Sequence, residues 1–406
     1  MFHDDVELEL SEQESQVLTT VHNYAEQVLR PIGKVLDRLD DPADVIAPDS
    51  PLWEAMEKYI SLGLDQMHSP DAGMSPLEAA RLQAMIQEEM FWGDSGLAIA
   101  VSYSGFIQPF IMFVDDTELH DRFGKAGKDS IGCWAQTEPD HGSDSIAFAQ
   151  PYFSDKSIRP NCIAKRDGDD YVISGQKAAW VSCGTVASVA LLMCAIDGEP
   201  GFAGSGAFIV PLDLPGVTKG KPLDKLGQRA LNQGEIFFQD VRVPARWMIA
   251  GPESYPQFLE LMLSHGNAHM ASTFVGVGRA AYEHALEYAH ERKQGGVALA
   301  QHQGVQNRLF QMFMKVQASR AIARRVTLYN AVNTPKFHQS VAAKVFSTNS
   351  AFEVATAACQ MFGGNGISRE YPVEKLLRDA RTSLVEDGCN EFLGLMAGSR
   401  LHPFIG

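Results

Sequence analysis

The spacing of hydrophobic positions changes twice along the chain. In the first stretch Val17, Val21, Tyr24, Ala25 and Val28 recur three or four apart. They form the face of a helix opened by the capping-box pair Ser11 and Glu14 and expected to stop at Arg30-Pro31. Trp53 to Leu62 and Pro76 to Phe91 repeat the pattern, the second behind Ser75 as N-cap with Pro76 in its first turn. Gly93 to Val114 is apolar almost throughout, and Asp94, Gln108 and Pro109 mark it as a buried core helix rather than a membrane span. From Ile131 to Pro244 the period shortens. Tyr171 to Ser174, Val186 to Ala195, Gly206 to Leu212 and Gly234 to Pro244 are short runs between turn residues, and Glu235 to Val243 mixes apolar and polar residues near period two. Such strands build a small antiparallel barrel or sandwich, and no GxGxxG follows a strand to indicate a Rossmann fold. After Pro244 helices return over Met270 to Arg292, Gln303 to Tyr329, Val341 to Met361, Val373 to Arg381 and Glu391 to Arg400. The pattern predicts an α+β, mostly α, chain in three blocks, 1–130, 131–245 and 246–406, with the first and third packed together.

Composition narrows function more than fold. A net charge of −16 argues against wrapping a nucleic-acid backbone, while leaving room for an anionic small molecule in a local Arg or Lys pocket. The opening MFHDDVELEL lacks the basic flank and apolar run of a signal peptide, and no segment has the ~20 apolar residues of a membrane span. Six cysteines are scattered without CxxC or metal-type spacing, so the expectation is a reduced, cytoplasmic protein with no metal site.

Four stretches carry candidate chemistry. Trp134 to Asp144 (WAQTEPDHGSD) offers the hydroxyls of Thr137 and Ser143 and exposed backbone at Gly142, suited to a polar heterocycle or a carbonyl; a polar turn is the bland reading. Gly175 to Gly184 sets Trp180 two residues from Ser182, able to stack on a ring and donate to its edge, although a core Trp is the alternative. His290 to Gly296 brings Arg292 to a helix C-terminus, either as a cap or as a phosphate clamp. Finally, Gln360 to Glu391 joins a glycine turn, Gly363-Gly364-Asn365-Gly366, to the carboxylates Glu386 and Asp387 beside Gly388.

In this order, the set resembles the acyl-CoA dehydrogenase flavoprotein superfamily. Thr137 to Asp144 matches T-E-P-x-x-G-S-D. Gly175 to Ser182 matches G-x-K-x-W-I/V-T/S with one extra residue before the Trp, and Asp240 to Pro244 matches D-V-R-V-P. Ala289 to Gln294 matches A-x-E-R-K-Q, and Gln360 to Ala380 follows the family's Q-x-F-G-G-N-G…E-Y-P-V-E-K segment almost letter for letter. The resemblance implies an α-helical N-terminal domain, a middle β-barrel, a C-terminal four-helix bundle, and FAD shared with a second subunit in a homotetramer or homodimer. It implies that Gln136, Thr137, Gly142 and Ser143 line flavin and thioester, and that Trp180 and Ser182 flank the flavin ring. Arg292 and Gln303 would meet the FAD diphosphate across the subunit boundary. Gln360, Gly363 and Gly364 would approach the adenosine half of a neighbour's FAD, with Cys389 and Glu391 beside the cofactor. Ser143, Asn267 and Asp387 would touch an acyl-CoA substrate, and an electron-transfer flavoprotein would take the electrons. The implied reaction is α,β-dehydrogenation.

The departures fall at the base. Where the family reads Y-E-G-T this chain has Glu386-Asp387-Gly388-Cys389, so Asp387 stands at the catalytic position and Glu386 is the second candidate. The alternative base position, on the helix after Pro244, is Gly266, followed by Asn267 where an Arg is common. Gly295 replaces a Phe that packs near the cofactor. An acyl group that is short, branched, cyclic or functionalised accords with the shorter Asp and with Ser102-Tyr103-Ser104. Two other readings stand beside dehydrogenation: changed chemistry of a desulfinase or flavin monooxygenase type, and a partner subunit of a heteromeric dehydrogenase.

Overall fold

The computed structural model describes residues 10–64 and 73–401. The opening residues read above against a signal peptide lie outside them. The first block is helical: α1 Glu12–Tyr24, α2 Arg30–Leu36, α3 Pro51–Ser61, α4 Pro76–Gly93, α5 Ser95–Ser102, α6 Gln108–Ile111 and α7 Thr117–Phe123. Both expected N-caps form. The Ser11–Glu14 and Ser75–Glu78 boxes close in both directions, and Pro76 sits in the first turn.

Two helix boundaries differ from the sequence reading. The first helix does not stop at Arg30-Pro31, because a π-turn over Ala25–Leu29 carries it into α2. A π-turn bonds one residue further along, so the missing Pro31 N–H no longer breaks the ladder. Nor is Gly93 to Val114 one helix. The Asp94 side chain accepts from the Leu97 N–H at 2.9 Å and starts α5 as a new element, and α6 follows separately.

The middle block holds β1 Gly132–Ala135, β2 Ile163–Asp167, β3 Asp170–Ser182, β4 Val189–Ile196, β5 Ser205–Pro211, β6 Val217–Lys219, β7 Gln233–Pro244 and β8 Met248–Ala250. They form one sheet in the order β6-β7-β3-β2-β4-β5-β8, with β1 paired to β4. The sheet is mixed rather than wholly antiparallel. β1 and β2 both run parallel to β4 and occupy successive parts of it, Gly132 opposite Val189 and Ile163 opposite Ala195. All eight residues of β4 and all seven of β5 are buried, as strands covered on both faces must be.

The last block is α8 Tyr255–Glu291, α9 Gln303–Val332, α10 Phe337–Phe362, α11 Val373–Thr382 and α12 Asn390–Ser399. α8 starts fifteen residues before the expected Met270. Its early turns mix buried Leu259 and Leu263 with exposed Leu261 and His265, which blurs the stripe. α8, α9 and α10 pack on one another, and α4 of the first block lies against α8 and α9. A buried ionic cluster joins them. Glu88 receives Arg279 at 2.9 Å and Arg320 at 2.6 Å, and Glu89 receives Arg279 at 2.6 Å and His22 at 2.8 Å. Burial alone would raise the Glu88 carboxyl, but Arg320, Arg279 and Arg324 hold it well below the ordinary range.

Between β6 and β7 a loop, residues 220–232, leaves the sheet and wedges between the helical blocks. A Cβ at Gly227 would lie 2.4 Å from the Arg378 carbonyl oxygen, so loop and α11 meet backbone to backbone. Beside it Lys375 bridges Asp94 at 2.7 Å and Asp379 at 2.6 Å.

Candidate active site

Strand β3 carries the first wall. Lys177 pairs with Ile236 and Val181 with Gly234, so four steps on β3 oppose two on β7 and Ala178 to Trp180 bulge outward. The extra residue before Trp180 is accommodated there. The bulge turns Trp180 to 61% exposure, which overturns the reading of it as a core Trp. The Ala178 N–H donates to the Thr137 carbonyl at 2.9 Å, which joins the first two motifs edge to edge. Beneath them lies a buried pair, Lys177 to Glu138 at 2.7 Å. Lys177 also donates to the Gln136 carbonyl, and Glu138 accepts the N–H groups of Asn161 and Cys162. The Gln136 side chain is buried and directed into the framework, donating to Ser145 O at 3.3 Å. Thr137 and Ser143 remain partly exposed, and open space lies where a Cβ of Gly142 would point.

The carboxylate turn forms the second wall. Ser143 Oγ accepts the Cys389 N–H at 3.4 Å, and Gly388 packs so tightly on Ile146 and Leu393 that a Cβ would come within 2.8 Å of Ile146. Asp387 is left-handed at φ +49° and Gly388 at φ +95°. Lys344, wholly buried in α10, clasps the turn from below, donating to Gly388 O at 2.9 Å and Asn390 Oδ1 at 2.7 Å. Among the described residues the Asp387 carboxylate accepts no hydrogen bond, and the N–H groups of Asp387 and Gly388 donate to no protein group.

The electrostatics follow from depth. Glu386 and Asp387 keep part of their surface open yet sit low among packed side chains. Desolvation raises Glu386 to about 7, helped by the charge of Asp387 and opposed by Lys225 and Gln228. Desolvation also raises Asp387, against the pull of Lys344. The two lysines are pushed down to about 8 by burial, with the carboxylates opposing. Tyr103 lies beyond the pair, its phenol facing Asp387 and interacting with Ser182; burial and then the Asp387 charge raise it well above 10. Its ring stacks on Phe106, centroids 4.9 Å apart.

The remaining predicted residues separate into groups. Arg292, Gln303, Gln360, Gly363 and Gly364 are exposed at the far end of the helical block. Tyr288, one turn before Arg292, stacks on Phe362 and accepts from Asn365, so the α8 terminus and the glycine turn form one surface. Glu391 is exposed in the first turn of α12. Asn267 is wholly buried, its amide nitrogen donating back to Leu263 O at 2.8 Å while its Oδ1 has no protein partner. His265, Gly266 and His269 border open space on α8, and desolvation among the packed side chains around it pushes His269 down to about 4. Sequence reasoning missed Lys225, Gln228, Gln233 and Lys344. Only Lys344 left a signal, as a lysine amid the apolar run Val341 to Phe346.

Residues 133–241 match the family model described as acyl-CoA dehydrogenase, middle domain, and residues 257–402 the one described as acyl-CoA dehydrogenase, C-terminal domain. The chain is 28% identical over 401 residues to the short-chain specific acyl-CoA dehydrogenase, mitochondrial, of Rattus norvegicus, covering 97% of this chain and 91% of that protein. Its fold is similar to butyryl-CoA dehydrogenase from Megasphaera elsdenii, at 26% identity, 98% and 100% coverage and a TM-score of 0.82. It is also similar to glutaryl-CoA dehydrogenase from Mycobacterium smegmatis, at 27% identity, 97% and 95% coverage and a TM-score of 0.80.

Proposed function

The chain belongs to the acyl-CoA dehydrogenase family, and on that footing we propose that the cleft between β3 and the 386–389 turn performs FAD-dependent α,β-dehydrogenation of an acyl-CoA thioester, with Asp387 as proton acceptor. The observation that carries this is the Asp387 turn: a carboxylate raised by desolvation, free of hydrogen bonds, beside two unused backbone N–H groups. An ordinary carboxylate near pKa 4 is too weak a base for an α-carbon, and burial raises its basicity. The Asp387 and Gly388 N–H groups suit the thioester oxygen on which charge develops as the α-proton leaves.

The residues present fit FAD. Exposed Trp180 offers a stacking face and half-buried Ser182 a hydroxyl, while Gly142, Gly363 and Gly364 have open space where a side chain would stand, so a large ligand can approach the backbone. Thr137 and Ser143 would hold the ring from the sheet side. Arg292, Gln303, Gln360, Gly363 and Gly364, all outward-facing, would serve a second copy of the chain, which supports a homodimer or homotetramer. When bound, FAD would supply an acceptor for the β-hydrogen as hydride. An electron-transfer flavoprotein would then take the electrons, with exposed Trp180 on the open side of the site.

Asp387 reaches ~1.5 Å less than Glu from its own backbone, so the acyl group must come to it. The Tyr103 ring, fixed by Phe106, fills space beside the base and favours a short or functionalised acyl group. The test is anaerobic flavin bleaching by a panel of acyl-CoAs, with Asp387→Asn alongside. The wild type should bleach. The variant should stay yellow and lose ~10³-fold or more in rate, within the range that a general base contributes. Full activity of Asp387→Asn would remove it as the base. No bleaching by any acyl-CoA would favour the altered-chemistry relatives instead.

A further inference from the structure

The chemistry above leaves Glu386 without a task, yet it is the more heavily engaged member of the pair. Gln228 Nε2 donates to its Oε2 at 3.2 Å. Gln228 is itself fixed: it is 1% exposed, and its backbone N–H donates to Asp379 Oδ1 at 2.6 Å. A Cβ on neighbouring Gly96 would come within 2.9 Å of its Cα. Lys225, on the same loop, faces Glu386 and donates to Gln233 Oε1 at 2.8 Å. Gln233 Nε2 in turn donates to Ser182 Oγ at 3.1 Å. The 220–232 loop therefore touches both sides of the site, holding Glu386 through Gln228 and reaching the strand edge where the cofactor would sit through Lys225, Gln233 and Ser182.

Backbone strain marks the same region. Four non-glycine residues have positive φ among the described residues, Cys183, Gln228, Asp240 and Asp387, and all but Asp240 lie here. Such conformations cost ~1–3 kcal/mol each and persist where surrounding contacts over-determine them.

We propose that Glu386 is a positioning residue, clamped by Gln228 of the 220–232 loop, with the charge of Lys225 facing it, so that adjacent Asp387 is held in its left-handed conformation and presented to the substrate. This rests on the reading of Asp387 as proton acceptor. The charged and titratable groups around the pair are Lys225, with Asp379 and Arg229 behind it, Lys344 from α10, and Tyr103 beyond α5.

Two measurements test the clamp on holoenzyme. The first is the pH profile of kcat and KM for Glu386→Gln, Gln228→Leu and Asp387→Asn. Wild type should show two ionisations that belong to the pair, one near neutrality, and Glu386→Gln should show one. Glu386→Gln, which retains an acceptor for Gln228, should lower kcat less than ~10-fold, Gln228→Leu ~10²-fold with KM within ~2-fold, and Asp387→Asn ~10³-fold or more. The second is hydrogen–deuterium exchange of peptides spanning 382–392, which needs no turnover; Gln228→Leu should speed exchange there at unchanged global stability. Glu386→Gln falling as far as Asp387→Asn, or wild-type exchange and kcat in Gln228→Leu, overturns the proposal. If no acyl-CoA reduces the wild-type flavin, the dehydrogenase reading fails, and the exchange measurement alone still decides the clamp.

Discussion

Replacing Glu386 by Gln should stabilise the protein in mildly alkaline buffer and make no difference in acid. The folded carboxyl ionises at about 7, against 4.5 for an ordinary Glu. The native state thus keeps a proton that the unfolded chain gives up, and the stability this contributes is complete below the unfolded value and lost as pH rises through 7. At ~1.4 kcal/mol per pH unit, the raised carboxyl costs the native state at most ~3 kcal/mol at pH 8 and ~2 kcal/mol at pH 6, relative to an unshifted one, falling to nearly nothing below ~4.5. Gln copies the protonated form and still accepts from Gln228, so it removes the cost; the lost attraction to Lys225 makes these figures upper bounds. Urea unfolding of both proteins, stepped from about pH 6 to 8, reads the difference directly. A variant less stable than wild type at pH 8 would mean that Lys225 neutralises the carboxylate and that desolvation does not govern it, and a gain that does not shrink with falling pH would mean that it does not arise from this carboxyl's ionisation.

Three further outcomes follow from features of the fold. Lys177→Met leaves Glu138 buried without its cation and should cost ~3–5 kcal/mol, seen as a lower denaturation midpoint and reduced FAD content. Trp180→Ala, at an exposed bulge, should move stability by no more than ~0.5 kcal/mol, whereas the flavin absorbance per protein after gel filtration should fall. Gly363→Ala meets no atom within 4 Å, so its cost should be the ~1–3 kcal/mol of holding Ala at φ +59°; FAD loss beyond that, measured by titration, would report a neighbour's cofactor at the turn.

The helical and β blocks were legible because their periods differ and their caps are local. What was not legible depended on distant groups. Pro31 looks like a stop until the π-turn before it is seen, and Asp94 looks like an interruption until Leu97 is found bonded to it. The parallel pairing of β4 with β1 and β2 is set by the path of the chain, which alternation does not encode. At the site the motif residues Ser143, Trp180, Ser182 and Asp387 were found from short-range pattern and family resemblance. The groups that tune them were not: Lys225 and Gln228 come from a loop of ordinary composition, and Lys344 from the middle of a helix. Asn267, chosen by resemblance, is buried with its amide nitrogen bonded to Leu263 and its Oδ1 without a protein partner, an environment its neighbours in sequence do not reveal.

The Glu88–Glu89 cluster bears on how the chain is made. Arg279 follows Glu89 by 190 residues and Arg320 follows Glu88 by 232, with the whole sheet between them. At ~5–20 residues per second, a ribosome leaves the acidic pair waiting ~10–40 s for its first guanidinium. During that interval Glu88 lacks its guanidinium partners and Glu89 has only His22 of α1, so α4 can pack on α1 but not yet on α8 and α9. The seam between the first and last helical blocks therefore closes only after α8 and α9 have been made.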